Sequence, residues 1–90
     1  MYRTIVQTKQ FKKDLQKVNF KDFTFTRFVN FLSMLSRYEQ LPDEARDHQL
    51  KGILSDYREF HLSGDLLIIY RITQDNTVEL IRIGSHSQLF

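Results

Sequence analysis

The pattern of hydrophobic and polar residues changes its period along the first half of the chain. Residues 2–8 alternate as expected of a β-strand. From Lys9 onward the apolar residues Phe11, Leu15 and Val18 recur at the spacing of an α-helix. A longer helical stripe then continues to about Gln40, and its main apolar positions are Phe28, Phe31, Leu32 and Leu35. The sequence therefore predicts one strand followed by two helices.

Local signals set the limits of the second helix. Asp22 or Thr24 is predicted to cap its start, because a short polar side chain can accept a hydrogen bond from an exposed helical N–H. Pro42 is predicted to end the helical region, because proline cannot continue a helix. Residues 41–56 have no regular pattern and are predicted to form a loop, a kind of segment that often carries function.

The second half of the chain reads as three strands at residues 57–62, 65–73 and 77–83. Ser63-Gly64 forms the first predicted turn and residues 74–76 form the second. The element order βααβββ predicts one α+β domain over residues 1–90, with two N-terminal helices packed on one face of an antiparallel sheet.

The two turns also predict a strand register. A two-residue turn at 63–64 would place His61 opposite Leu66, and a three-residue turn at 74–76 would place Ile68 opposite Arg82. Side chains alternate across a strand, so each register defines two faces. The face predicted to meet the helices holds Phe60, Leu67, Ile69, Ile81 and Ile83. The opposite face holds Tyr57, Glu59, His61, Tyr70 and Arg82.

Composition narrows the class of protein. Ninety residues with eight Phe and four Tyr can bury one small core. The absence of cysteine is typical of a reducing compartment. No apolar run approaches the roughly 20 residues of a membrane helix, and no signal peptide is evident. We therefore expect a cytoplasmic protein that does not enter a membrane.

Charge is unevenly distributed between the two halves. Residues 1–46 hold nine Lys and Arg against five acids, whereas residues 47–90 hold four against six. If the partner is a nucleic acid, the first half would supply the attraction and the second half the chemistry. The stripe Lys9, Lys13 and Lys17 is either a solvated helix surface or a ridge that follows phosphates.

All three histidines lie in the second half of the chain, which suggests acid–base chemistry. RNA can be cut without metal when its 2′-hydroxyl attacks the adjacent phosphorus. That reaction needs a base, an acid, a cation near the phosphate, and surfaces on which bases stack. Candidates for these roles are His48, His61, Asp65, Arg82, His86 and Phe90. Each could instead be structural, and three histidines with one aspartate could bind a metal, although no His-x₃-His spacing supports that alternative.

Four separated blocks of sequence resemble the YafQ-type mRNA interferase toxins of the RelE/ParE superfamily. They are residues 47–52 (DHQLKG), 57–62 (YREFHL), 64–72 (GDLLIIYRI) and 82–90 (RIGSHSQLF). Any one block would be a weak signal, but their combination is specific, and the order of elements agrees over the whole chain. One departure is Leu66, since the family commonly has an aromatic residue there and leucine cannot stack on a base in the same way.

This resemblance implies a RelE-like fold and the toxin of a type II toxin–antitoxin pair. Such toxins are metal-independent endoribonucleases that act on mRNA, usually at the ribosome, and a cognate antitoxin protein neutralises them. By position, His48, His61, Asp65 and His86 match the catalytic set, Arg82 and Phe90 match residues that contact phosphate and RNA, and Glu59 matches a supporting acid.

The roles within this set remain open. His86 is the predicted general acid, and Asp65 is the predicted general base, with His61 as its rival. A carboxylate of ordinary pKa, about 3.9, is a weak base for a 2′-hydroxyl, so a second group is expected to assist. Two other functions also stay open: a non-nucleolytic toxin of the same fold that inhibits gyrase, as in the ParE branch, and a plain RNA-binding or protein-binding domain.

Overall fold

The computed structural model describes residues 1–90 and contains one five-stranded sheet. Its strands are β1 (Thr4–Gln7), β2 (His48–Gln49), β3 (Arg58–Ser63), β4 (Leu66–Ile72) and β5 (Thr77–Ser85). They lie in the spatial order β1-β5-β4-β3-β2. The predicted α+β class is confirmed. The sheet is nevertheless mixed rather than antiparallel, because β1 pairs with β5 in parallel.

Three helices complete the fold: α1 (Lys9–Gln16), α2 (Asp22–Ser36) and α3 (His86–Leu89). Short 3₁₀ turns occupy Asp43–Ala45 and Gly52–Leu54. The sequence pattern predicted α1 and α2 but neither the two-residue strand β2 nor the four-residue helix α3. Elements this short contain too few residues to display a period. None of the helices is long and apolar enough to cross a bilayer.

The predicted limits of α2 were wrong at both ends. Lys21 occupies the capping position and its side chain makes no capping hydrogen bond, while Asp22 is already helical. The Thr24 hydroxyl instead hydrogen bonds to the Ser63 hydroxyl at 2.9 Å. The helix ends at Ser36, before Gln40, because the chain turns into a left-handed conformation at Tyr38, with φ 64°.

One hydrophobic core joins the helices to one face of the sheet. Phe11 of α1 and Phe31 and Leu35 of α2 are buried in it. The strands contribute Phe60, Leu62, Ile68, Tyr70, Val78, Leu80 and Ile83. The predicted placement of Phe60 and Ile83 toward the helices is confirmed.

The predicted strand register was wrong by one residue on β4. His61 pairs with Leu67 rather than Leu66, and Arg82 pairs with Ile69 rather than Ile68. The shift begins at the first turn, which is Gly64-Asp65 and not the predicted Ser63-Gly64, because β3 continues to Ser63. Between Ile69 and Tyr70 the partner on β5 changes from Arg82 to Leu80, so a bulge adds one residue to β5 there. From Tyr70 to the turn at 74–76 the predicted pairing of β4 with β5 is correct. Arg71, for example, pairs with Glu79.

The shift exchanges the faces of several β4 and β5 residues. Tyr70, predicted beside Glu59 and His61, lies in the core and is only 1% exposed. Leu67 and Ile69, predicted to meet the helices, lie in register with His61 and Arg82 on the opposite face. The core receives Leu80 in place of the predicted Ile81, which is half-buried.

Candidate active site

The polar candidates lie on the face of the sheet that points away from the core. Directly paired residues on neighbouring strands place their side chains on the same side. One row across the sheet consists of His48, Glu59, Ile69 and Arg82. The next row on that face consists of His61, Leu67 and Gly84. Strand pairing therefore brings two histidines, a glutamate and an arginine onto one surface.

His48, Glu59 and His61 form a compact cluster on β2 and β3. His61 Nε2 lies 3.2 Å and His48 Nε2 lies 3.8 Å from Glu59 Oε2. The two imidazole rings stack with centroids 6.5 Å apart and planes 21° from parallel. The Glu59 side chain is 6% exposed, so its carboxylate faces the histidines rather than solvent. Glu59 is suited to orient His61 and to hold a positive charge on it.

Arg46 belongs to the same cluster, and sequence reasoning missed it. Its Nη2 lies 3.2 Å from His61 Nδ1, and its carbonyl oxygen lies 2.7 Å from His48 Nδ1. The residue is left-handed, with φ 48° and ψ 42°, a conformation that costs free energy for any residue except glycine. Its position next to the Asp47-His48 block was the only available signal, because one exposed arginine in an irregular loop has no pattern.

The surroundings of His61 favour its neutral form. Burial lowers the pKa of His61, the positive charge of Arg46 lowers it further, and Glu59 opposes both effects; His48 adds a smaller lowering. The pKa of His61 is thus below the ordinary value of histidine, so its neutral imidazole is available as a base near neutral pH.

Asp47 anchors the loop that carries Arg46 and His48. Its Oδ1 accepts hydrogen bonds from the Tyr70 hydroxyl at 2.7 Å and from Arg58 Nε at 3.2 Å. Burial, together with the Asp47 carboxylate, raises the pKa of Tyr70 above its usual range, so the hydroxyl remains a donor. Tyr70, which the sequence pattern placed on the wrong face, therefore helps to position the loop of Arg46 and His48 from within the core.

Arg82 is held by Asp14, a second residue that the sequence did not indicate. Arg82 Nε donates to Asp14 Oδ2 at 2.7 Å, Nη2 donates to Oδ1 at 3.2 Å, and the Ile83 backbone N–H donates to Oδ2 at 3.1 Å. Burial alone would raise the pKa of Asp14, but hydrogen bonds from Arg82, Gln10 and Ile83 hold it below the ordinary value. Arg82 is therefore a fixed and fully charged group.

Asp65, His86 and Phe90 meet at the end of β5. The His86 backbone N–H donates to Asp65 Oδ1 at 3.3 Å, and the His86 and Phe90 rings lie 4.8 Å apart between centroids. A capping box fixes the start of α3, since Ser85 N–H donates to Gln88 Oε1 at 2.8 Å and Gln88 N–H donates to Ser85 Oγ at 3.3 Å.

A cavity of about 480 Å³ lies between the Asp14–Arg82 pair and the end of β5, where Asp65 is located. Its lining includes Asp14, Asp65, Arg82, Gly84, Ser85 and Gln88. His48, His61, His86 and Phe90 are not among its lining residues. His61 is in register with Gly84 across two strand spacings, roughly 10 Å. The predicted residues thus form two neighbouring groups, not one pocket. No three His, Asp or Glu side chains are arranged to hold a metal ion.

Comparison with known proteins gives consistent matches over nearly the whole chain. The model of a family described as a bacterial toxin of type II toxin–antitoxin system, YafQ, matches residues 3–90. The mRNA interferase toxin YafQ of Escherichia coli K12 is 31% identical over 90 residues, which cover 98% of this chain and 96% of that protein. The putative toxin YafQ of Haemophilus influenzae is 32% identical over 87 residues, covering 90% and 85% of the two chains.

Solved structures agree in fold as well as sequence. A metal-bound toxin from Helicobacter pylori superposes with a TM-score of 0.84 at 39% identity, covering 98% of this chain and 99% of that one. The toxin in the E. coli DinJ-YafQ toxin–antitoxin complex superposes with a TM-score of 0.81 at 29% identity, covering 100% and 99%.

Proposed function

This chain belongs to the YafQ family of type II toxins, and on that premise we propose that it cuts mRNA by metal-independent attack of a 2′-hydroxyl on the adjacent phosphorus. The observation that carries the mechanism is the common sheet face. It presents the His48–Glu59–His61 cluster on β2 and β3, and Arg82 on β5.

The roles follow from the chemistry of each group. His86 is the general acid that protonates the departing 5′ oxygen, because it lies exposed at the start of α3. Asp65 is the predicted general base, with His61 as its rival. Arg82, together with His48 or His61, stabilises the negative charge that develops on the phosphorane.

Other residues of the site support binding. Phe90 is exposed beside His86 and offers a ring on which an RNA base can stack. Glu59 assists by accepting a hydrogen bond from His61. The products of this reaction are a 2′,3′-cyclic phosphate and a 5′-hydroxyl.

The partners of the chain are part of the proposal. We infer that it acts on mRNA at the ribosome in the cytoplasm and that a cognate antitoxin protein neutralises it. The solved complex of the E. coli relative with DinJ supports the antitoxin. The excess of positive charge in residues 1–46 favours attraction to RNA.

The test compares the wild-type chain with His86→Ala in a translation reaction, with mapping of the RNA ends. Wild type should give 2′,3′-cyclic phosphate and 5′-hydroxyl ends, and His86→Ala should lose cleavage while retaining its thermal transition. Ends that carry a 3′-hydroxyl and a 5′-phosphate, as a metal-activated water would leave, would contradict the metal-independent mechanism. Growth arrest with DNA damage and intact mRNA would favour a gyrase inhibitor, and no effect would favour a plain binding domain.

A further inference from the structure

Both ring nitrogens of His61 are engaged, and this fixes where its proton lies. Nε2 is 3.2 Å from a Glu59 carboxylate oxygen, which can only accept a hydrogen bond, so Nε2 carries the proton. Nδ1 is 3.2 Å from Arg46 Nη2, and a guanidinium can only donate, so Nδ1 presents its lone pair. The lone pair that would make His61 a base is covered by Arg46.

The two sides of the ring differ in access. Glu59 is buried beneath the ring, so a substrate cannot approach Nε2. Arg46 is exposed above Nδ1. A 2′-hydroxyl can therefore reach the lone pair of His61 only if the guanidinium moves aside.

Arg46 is equipped to leave His61 for a phosphate. It forms no ion pair with a carboxylate, whereas Arg82 is paired with Asp14 and Arg58 with Asp47. A guanidinium held only by a neutral imidazole gains a stronger, charge-assisted contact when it binds a phosphate oxygen. Its backbone stays in place, because the neighbouring Asp47 is held by Tyr70 and Arg58.

We propose that Arg46 binds the scissile phosphate of the RNA and thereby uncovers His61, which then acts as the general base. The inference rests on the proposed ribonuclease function and assigns the base role to His61 rather than Asp65. Nδ1 of His61 takes the 2′-hydroxyl proton as the 2′ oxygen bonds to phosphorus. The bond from phosphorus to the 5′ oxygen breaks, and that oxygen takes a proton from His86. His61 becomes an imidazolium whose Nε2–H still faces Glu59.

The charge of His61 reports whether Arg46 covers it. Arg46, Glu59 and His48 are the charged and titratable groups that act on the ring. The positive charge of Arg46 lowers the pKa of His61, and the negative charge of Glu59 raises it. Removing the guanidinium, or neutralising it with a phosphate, therefore raises the pKa of His61. This readout depends on binding and not on RNA cleavage.

The first experiment follows the imidazole nitrogens by NMR during titration with inorganic phosphate. In the wild type His61 should carry its proton on Nε2, and phosphate should raise its pKa. Arg46→Gln should raise the pKa without phosphate and remove the response to phosphate, while Arg37→Gln, a change at an exposed arginine paired with Glu39, should behave as wild type. An equal phosphate response in wild type and Arg46→Gln would overturn the proposal.

The second experiment measures RNA cleavage against pH. Arg46→Gln should raise KM by roughly ten- to a hundredfold, as expected for loss of a charged hydrogen bond, and should shift the acidic limb of kcat/KM to higher pH. Arg46→Lys should restore KM part of the way to its wild-type value, but the acidic limb of kcat/KM should not return to its wild-type pH. Wild-type KM and an unshifted limb in Arg46→Gln would overturn the role of Arg46 and leave the ribonuclease intact. Failure of the wild type to cut RNA would overturn the ribonuclease itself.

Discussion

The Asp14 carboxylate binds the guanidinium of Arg82 through two hydrogen bonds of 2.7 and 3.2 Å, although the two residues are 68 positions apart. The same carboxylate accepts the Ile83 N–H on the edge of β5, beyond the last residue that pairs with β1. Asp14 therefore completes the hydrogen bonding of an open strand edge and fixes the direction of the arginine. Helix α1 carries none of the predicted site residues, but through Asp14 it fixes the position of the Arg82 guanidinium.

Replacing Asp14 by asparagine tests this control. The amide still offers an acceptor to Ile83 N–H, but it carries no charge to hold Arg82. We expect a loss of about 1–2 kcal/mol in the free energy of unfolding and a fall in kcat of roughly tenfold, larger than the rise in KM. Urea denaturation and single-turnover cleavage measure the two effects. Asp56→Asn, at an exposed acid, is the control, and wild-type kcat in Asp14→Asn would contradict the role of Asp14.

The same carboxylate predicts how stability depends on pH. The pKa of Asp14 is held below its ordinary value in the folded protein, so the unfolded chain binds its proton first as the pH falls. The contribution of Asp14 is fully present above about pH 4–5 and is lost as the pH falls through the folded pKa. Urea midpoints between pH 7 and 3 should therefore fall less steeply in Asp14→Asn than in wild type. Parallel curves would show that Asp14 titrates alike in both states.

Tyr70→Phe tests whether the core positions the loop of Arg46 and His48. The change removes the 2.7 Å hydrogen bond to Asp47 and leaves only Arg58 to hold that carboxylate. We expect stability to fall by about 1–2 kcal/mol and cleavage to fall as well, because the loop loses one of its two anchors. Thermal unfolding and cleavage assays provide the measurements. Tyr57→Phe removes the hydroxyl of a half-buried tyrosine elsewhere, and equal behaviour of the two variants would refute the anchoring role.

Gly84→Ala tests how closely α3 must lie against β5. A Cβ at Gly84 would come within 2.9 Å of Gln88 Oε1 and 3.3 Å of Leu89 Cδ2. We expect this crowding to displace α3 and with it His86, which lowers cleavage at a stability cost of about 1–2 kcal/mol.

A double-mutant cycle with Gln88→Ala identifies the cause of that effect. If the contact with Gln88 is responsible, Gly84→Ala should cost less activity in the Gln88→Ala background than in wild type. An identical loss in both backgrounds would place the cause elsewhere.

Sequence reasoning performed best where a pattern extends over many residues. Helices α1 and α2 and strands β3, β4 and β5 were predicted because their apolar residues repeat with the period of each element. The register of β4 failed because the first turn lies one residue later than predicted, at Gly64-Asp65, and a continuous apolar run such as β4 has no alternation that would reveal the slip. The error moved Tyr70 to the wrong face but left Arg82 on the surface that also carries Glu59 and His61.

The sequence by itself determined the fold class, the family and the chemical groups available for catalysis, because these depend on local periodicity and on residue types at fixed spacing. Only the tertiary structure decided which neighbours those groups have. Asp14 reaches Arg82, and Arg46 covers His61, through contacts between residues far apart in the chain or on an irregular loop. Such contacts follow from how helices and strands pack, and the charge state of each group follows from them in turn.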